Sequence, residues 1–88
     1  MKLKNGMITD DSNGEFIAVA TGEASRYFNG LIRSNSTADY ILRKLMTETT
    51  KEELLESVLD KYDVDDDTAS GDIDKILMQL RELHLLDE

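Results

Sequence analysis

Residues 27–45, Tyr27-Phe28-Asn29-Gly30-Leu31-Ile32-Arg33-Ser34-Asn35-Ser36-Thr37-Ala38-Asp39-Tyr40-Ile41-Leu42-Arg43-Lys44-Leu45, change period part-way along. Over Tyr27 to Arg33 the side chains alternate. Phe28 and Ile32 fall on one face and Tyr27, Leu31 and Arg33 on the other, which is the two-residue repeat of a strand. From Ala38 the apolar residues Ala38, Ile41, Leu42 and Leu45 recur at the i, i+3, i+4, i+7 spacing of one helix face. Asn35 or Ser36 is placed to cap that helix. A strand running directly into a helix makes the fold a mixture of both.

Upstream, the punctuation is dense. Four of the five glycines, Gly6, Gly14, Gly22 and Gly30, lie in the first third of the chain. The pairs Asn5-Gly6, Asn13-Gly14 and Asn29-Gly30 are turn-prone. Between them Met7-Ile8-Thr9 and Phe16-Ile17-Ala18-Val19-Ala20 read as two further short strands. Connections this short cannot hold parallel crossovers, so the three strands form an antiparallel meander. Strands this short need a helical layer against them.

Downstream, Thr50 and Glu53 form a capping box. Leu54, Leu55, Val58, Leu59 and Tyr62 line the second helix. Asp63 to Asp67 is a polar break that places negative charge at the start of a third helix, where the dipole favours it. Ile73, Ile76, Leu77, Leu80 and Leu83 form the buried stripe of that helix. Gly71 marks either close packing or a later helix start, since Gly inside a helix costs about 1 kcal/mol relative to Ala. The expectation is an α+β fold: a three-stranded antiparallel sheet followed by three helices, winged-helix-like, in a single domain over residues 1–88. No internal repeat, linker or low-complexity segment interrupts it.

The composition narrows the chemistry. At 88 residues the chain is at most one domain with one modest core. It has no Cys, Pro or Trp and one His, which removes thiol catalysis, disulfides and cysteine- or multi-histidine metal sites. Nineteen Asp plus Glu against ten Lys plus Arg give a formal charge of −9. Such a surface repels phosphate backbones and anionic lipid, so neither nucleic acid nor membrane is expected as a partner. No run of apolar residues is long enough to span a bilayer and no signal segment opens the chain, so a cytoplasmic protein is expected.

Specific motifs fail one by one. Asp63-Val64-Asp65-Asp66-Asp67 resembles the opening of a calcium loop, but an EF-hand needs Gly at its sixth position and a bidentate Glu at its twelfth. This chain has Thr68 and Asp74 there. Pairs of carboxylates are too easily found among so many acids to indicate glycoside chemistry. His84, at the end of the last helix, reads as a solvent-facing or capping residue rather than a general base. An acyl carrier would need Asp-Ser-Leu opening a helix, whereas Asp11-Ser12 precedes Asn13-Gly14 in a turn. A winged-helix DNA reader has the right outline. Its third helix, from Thr68 to Glu82, here carries Asp72, Asp74 and Glu82 against Lys75 and Arg81, without a basic face. No enzymatic activity and no cofactor are expected.

Thr21 to Arg33, Asn35 to Leu42, Thr50 to Leu54, Leu59 to Asp65 and Asp72 to Leu86, taken in this order, resemble the PqqD family, small peptide chaperones also called RiPP recognition elements. Thr21 to Arg33 resembles the family's second turn and third strand. Asn35-Ser36-Thr37-Ala38-Asp39-Tyr40-Ile41-Leu42 resembles its "LN-x-T-A/G-x-x-I-W" segment. Thr50-Lys51-Glu52-Glu53-Leu54 resembles "T-x-E-E-L/I", and Leu59 to Asp65 resembles "L-x-x-x-Y-x-V-D". Asp72-Ile73, Leu77, Leu80 and Leu83-His84-Leu85-Leu86 resemble the closing "D-V…L…L…G-L-L". The likeness runs from about residue 15 to residue 86. This chain departs from the pattern at Ser34 (Leu in the family), Leu42 (an aromatic) and His84 (Gly).

The resemblance implies a binding function. The protein would hold the leader segment of a ribosomally made precursor peptide as an extra strand, between the third strand and the third helix. It would present that segment to a modifying enzyme, often a radical S-adenosylmethionine maturase. The residues expected to bind peptide are Arg26, Tyr27, Asn29, Leu31, Arg33, Lys75 and Met78. Phe28 and Ile32 belong to the core on burial habits. Arg26 and Arg33 are either edge-strand charges that discourage aggregation or partners for leader acids. Met78 is either an adaptable groove residue or a filler between helix and sheet. The competing readings are a winged-helix protein in transcription and an acidic protein-interaction module of another complex.

Overall fold

The structure, a computed structural model, describes residues 1–88. Its elements run β1 (Lys2–Leu3), β2 (Met7–Asp10), β3 (Phe16–Ala20), β4 (Leu31–Ser34), α1 (Ser36–Lys44), α2 (Lys51–Lys61), α3 (Asp66–Glu82) and β5 (Leu86–Asp87). The expected α+β arrangement is present: β2, β3 and β4 form an antiparallel meander in that order, and three helices follow. Alternation sorts the sheet into two faces. Met7, Ala18, Ala20 and Ile32 are buried against the helices, whereas Ile8 and Leu31 are exposed on the other face. Ala18 is wholly buried, and its small side chain lets α1 pack close to the middle strand.

The turn before β2 depends on Gly6. Its φ is +101°, and a Cβ there would lie 2.0 Å from the Thr21 carbonyl oxygen. That proximity is used: the Thr21 N–H and Oγ1 both donate to the Gly6 carbonyl, at 3.0 and 2.6 Å.

Two features differ from the sequence-based expectation. The third strand of the meander begins at Leu31 rather than Tyr27. A 3-10 turn, Ala24–Arg26, occupies the preceding segment, with Tyr27 at its end. Ala24 is fully buried and its N–H donates to the Asn5 carbonyl at 2.9 Å, while the Phe28 N–H donates to the Ala24 carbonyl at 3.1 Å. Anchoring Ala24 beneath the first turn holds Ala24–Arg26 in the 3-10 turn, and the chain becomes a strand only at Leu31. Secondly, β1 and β5 form an additional two-stranded ribbon, pairing Lys2 with Asp87 and Leu3 with Leu86. Leu3 of β1 and Leu85, just before β5, are both buried in the core.

Helix starts follow the side-chain chemistry. Asn35 is the α1 cap and accepts from Ala38 N–H at 2.9 Å; Thr50 caps α2 through Glu53 N–H at 3.1 Å. Asp65 caps α3, accepting from Thr68 N–H at 2.7 Å. That cap starts the helix well before Gly71. A Cβ at Gly71 would meet nothing within 4 Å, so this glycine marks neither close packing nor a late start. The core is one cluster, with Ile41 of α1 and Leu45 at its C-terminal cap, Leu54 and Val58 of α2, and Ile73, Leu77 and Leu80 of α3 at its centre. Ile76 and Leu83, at the edges of the α3 stripe, are half-buried.

His84 ends α3 in the left-handed region, with φ 59°. Its N–H donates to the Arg81 carbonyl at 3.0 Å, and the Leu85 N–H to the Leu80 carbonyl at 2.9 Å. These two bonds are the Schellman closure normally built on Gly. His84→Gly should therefore stabilise the fold by about 1 kcal/mol, less the extra backbone entropy of Gly in the unfolded chain. A rise in the urea midpoint at unchanged slope is the expected reading.

The Thr68 N–H holds the Asp65 carboxyl below its ordinary value. A lowered folded pKa adds stability that is complete above the unfolded value and lost as pH falls through the folded one. Thermal melts should therefore show α3 stabilisation fading below about pH 4. Asp65→Asn, which keeps an acceptor oxygen without the titration, should show a shallower acid loss.

Candidate functional site

The strand β4 lies at the edge of the sheet, because the order β2-β3-β4 leaves its far side unpaired. The phase of the ladder identifies its free backbone groups. Ala20 N–H donates to the Gly30 carbonyl at 3.4 Å, and the register continues through Val19↔Leu31, Ala18↔Ile32 and Ile17↔Arg33 to Phe16↔Ser34. Bonded and non-bonded pairs alternate in an antiparallel ladder. Gly30, Ile32 and Ser34 therefore turn their backbone toward β3, and Leu31 and Arg33 turn theirs outward. The Ser34 hydroxyl adds a bond to the Phe16 carbonyl at 3.3 Å and secures the end of the strand.

Beside this edge lies a cleft of about 550 Å³ between β4, the first turns of α1 and α3. Its apolar lining is Ile32, Ala38, Leu42, Ile76 and Leu80, and its polar lining includes Arg33, Asp72, Lys75 and Gln79. Each element contributes for a local reason. The Asn35 cap turns the chain into α1 immediately after β4, which places Ala38 and Leu42 against the strand. The α3 stripe is wider than its buried centre, so Ile76 at its margin is left to face the cleft.

Electrostatics distinguish this place from the rest of the surface. Residues 47–74 hold eleven of the nineteen acids and two of the ten Lys and Arg, which accounts for the whole −9. The cleft lies at the border of that acidic segment and carries Arg33 and Lys75. Arg33 reaches Glu15 only at 3.9 Å with both side chains largely exposed, a pair worth little. Lys75 makes no ion pair. By contrast, a second depression of about 400 Å³, lined by Lys4, Tyr27, Arg81, His84, Leu86 and Glu88, is neutralised from within. There Glu88 raises the Arg81 pKa by hydrogen bonding and Arg81 lowers that of Glu88, while the bond to Asp87 raises Lys4.

The residues singled out in the sequence fall into separate places. Arg33 and Lys75 share the cleft. Leu31 sits on the edge strand, half-exposed on the outer face of the sheet. Met78 is 60% exposed on α3 and does not line the cleft. Arg26 ends the 3-10 turn, Asn29 is exposed in the loop before β4, and Tyr27 lies in the second depression with the Lys4 ammonium 5.0 Å from its ring centroid. Ile76, Leu80, Ala38 and Gln79 also line the cleft. Only the margin position of Ile76 on the α3 stripe could have signalled one of them. No group of three or more His, Cys, Asp or Glu is arranged to hold a metal ion, and no helix is long and apolar enough to cross a membrane.

The family profile of Coenzyme PQQ synthesis protein D (PqqD) matches residues 15–86. The chain belongs to the PqqD family. Among solved structures, this PqqD-family chain is similar to TbiB1 in complex with the TbiA(beta) leader peptide, with a TM-score of 0.76 at 18% identity over 99% of this chain and 95% of that one. It is also similar to lasso peptide synthetase B1 complexed with the leader peptide, with a TM-score of 0.67 at 17% identity over 92% of this chain and 89% of that one. At these identities the likeness establishes the fold. No curated relative matches the chain. Two of the three departures from the family pattern, Ser34 and Leu42, line the cleft. Tyr40 does not line the cleft: it packs edge-on against Tyr62 at the end of α2, with ring centroids 5.9 Å apart.

The core and the cleft edge should respond differently to charge. Leu31→Asp should leave far-UV circular dichroism and the melting transition nearly unchanged, because the side chain is already half in water. Ile73→Asp buries a charge at a wholly buried position. That should remove most of the stability of a domain this size, about 5 kcal/mol or more, and abolish the cooperative transition.

Proposed function

We propose that this protein binds the leader segment of a ribosomally synthesised precursor peptide as a fourth strand on β4 and presents it to a peptide-modifying enzyme. The observation that carries this reading is the outward-facing backbone of Leu31 and Arg33 beside an apolar cleft. An extended peptide can complete those N–H and C=O groups while its alternate side chains enter the cleft. Membership of the PqqD family supports it, as does the likeness to two proteins solved with leader peptides. The finer part of the proposal is that the enzyme is a radical S-adenosylmethionine maturase and that the complex forms in the cytoplasm, where precursor peptides are made. The seven residues named from sequence divide under this reading. Arg33, Lys75 and Leu31 touch the peptide, whereas Arg26, Tyr27, Asn29 and Met78 are available to the enzyme.

A free leader is disordered, so its ordering offsets part of the contact energy and moderate affinity is expected. The test is an amide-shift titration with the precursor encoded beside the gene. Saturable changes over residues 31–34 and 72–80 are expected, and Leu31→Asp should weaken binding without unfolding. Changes concentrated in residues 47–61, or no saturable binding, would overturn the proposal.

A further inference from the structure

The sheet's outer face is built of rows that run across all three strands and stop at the open edge. The register aligns Ile8, Val19 and Leu31 in one row and Asp10, Ile17 and Arg33 in the next. Ile8 and Leu31 are 55% and 51% exposed, so the first row is an apolar stripe ending in water. The second row ends in the Arg33 guanidinium, whose contact with Glu15 is long and exposed. On the opposite face Thr9, Ala18 and Ile32 align, and Ile32 is the last residue before the cleft.

A strand added to β4 must extend these rows. Side chains directly opposite one another on one face of an antiparallel pair lie close enough to interact, and like charges there are destabilising. The outward backbone of Leu31 and Arg33 fixes which peptide residues form the bonded pairs; the residue between them lies opposite Ile32. Its side chain shares the inner face with Ile32 and enters the cleft against Ile76 and Leu80. The neighbour opposite Leu31 lengthens the apolar stripe, and the neighbour opposite Arg33 meets a cation without a close partner. Antiparallel addition continues the existing ladder and is slightly the more stable pairing per residue.

We infer that the β4 edge selects a leader carrying the consecutive pattern acidic–apolar–apolar, read from its N-terminal side, with the acid opposite Arg33 and the middle residue in the cleft. This rests on the leader-binding reading and goes further by stating the register and the side chains the edge accepts. Lys75 adds a second cation at the cleft and favours further acidic residues in the leader.

A displayed library of random, unstructured peptides, selected on the folded full chain, tests it. Peptides that shift the amides of residues 31–34 should be enriched in the acidic–apolar–apolar order. In a parallel selection on Arg33→Glu, an exposed position that leaves the fold intact, the acid should be replaced by Lys or Arg. Peptides from the first selection should lose about tenfold in affinity for that variant. Peptides that bind residues 31–34 without this order, or whose charge preference is unmoved by Arg33→Glu, would overturn the register while leaving strand addition standing. If no selected peptide perturbs residues 31–34, strand addition fails and the register fails with it.

Discussion

A three-stranded sheet whose longest strand has five residues cannot bury a core by itself, and the rest of this molecule answers that constraint. The inner face of the sheet offers mainly small side chains, Ala18 and Ala20 beside Met7 and Ile32. The volume of the core must therefore come from helices. α3 supplies much of it: Ile73, Leu77 and Leu80 are buried where α1, α2 and the terminal ribbon converge. α1 reaches the sheet directly because the Asn35 cap permits no loop between β4 and the helix.

The same arrangement leaves one edge of the sheet open. Helices cover the inner face of the meander, and nothing covers the far side of β4. An exposed edge is an aggregation hazard unless it is short, charged or occupied. Here it is four residues long and carries Arg33. The cleft beside it is a consequence of packing a cylinder against the end of a twisted sheet, and Ser34 and Leu42 are among the residues that line it. The open edge and the core thus share one cause: the helices that complete the core do so from one side only.

Charge is separated from this edge. The acidic segment over residues 47–74 surrounds α2 and the start of α3, where Asp65 to Asp67 also suit the helix dipole. Surface acidity of this kind discourages duplex DNA despite the winged-helix-like outline. It leaves Arg33 and Lys75 as the cations of the cleft, so the field favours an acidic peptide approaching there over one approaching the helical face.

The sequence by itself determined the order of the three meander strands and three helices, the Thr50 cap of α2, the start of α1 at Asn35 or Ser36, and the buried stripes. These depend on periodicity and on side chains within three or four residues of the backbone they serve. It also showed that a strand near Leu31–Arg33 ran into a helix, and the spacing of its motifs was enough to indicate the family. Only the tertiary structure decided that Tyr27 leaves the strand, because the 3-10 turn depends on Ala24 donating to the carbonyl of Asn5, far back in the chain. The β1–β5 ribbon was equally illegible: two residues at each end have no period to read, and they pair across the whole length of the chain, with Leu3 and Leu85 both in the core. The cleft belongs to the same class. Ile32, Leu42, Ile76 and Leu80 come from three elements, and their common surface exists only once the core has set the angle between α3 and the sheet.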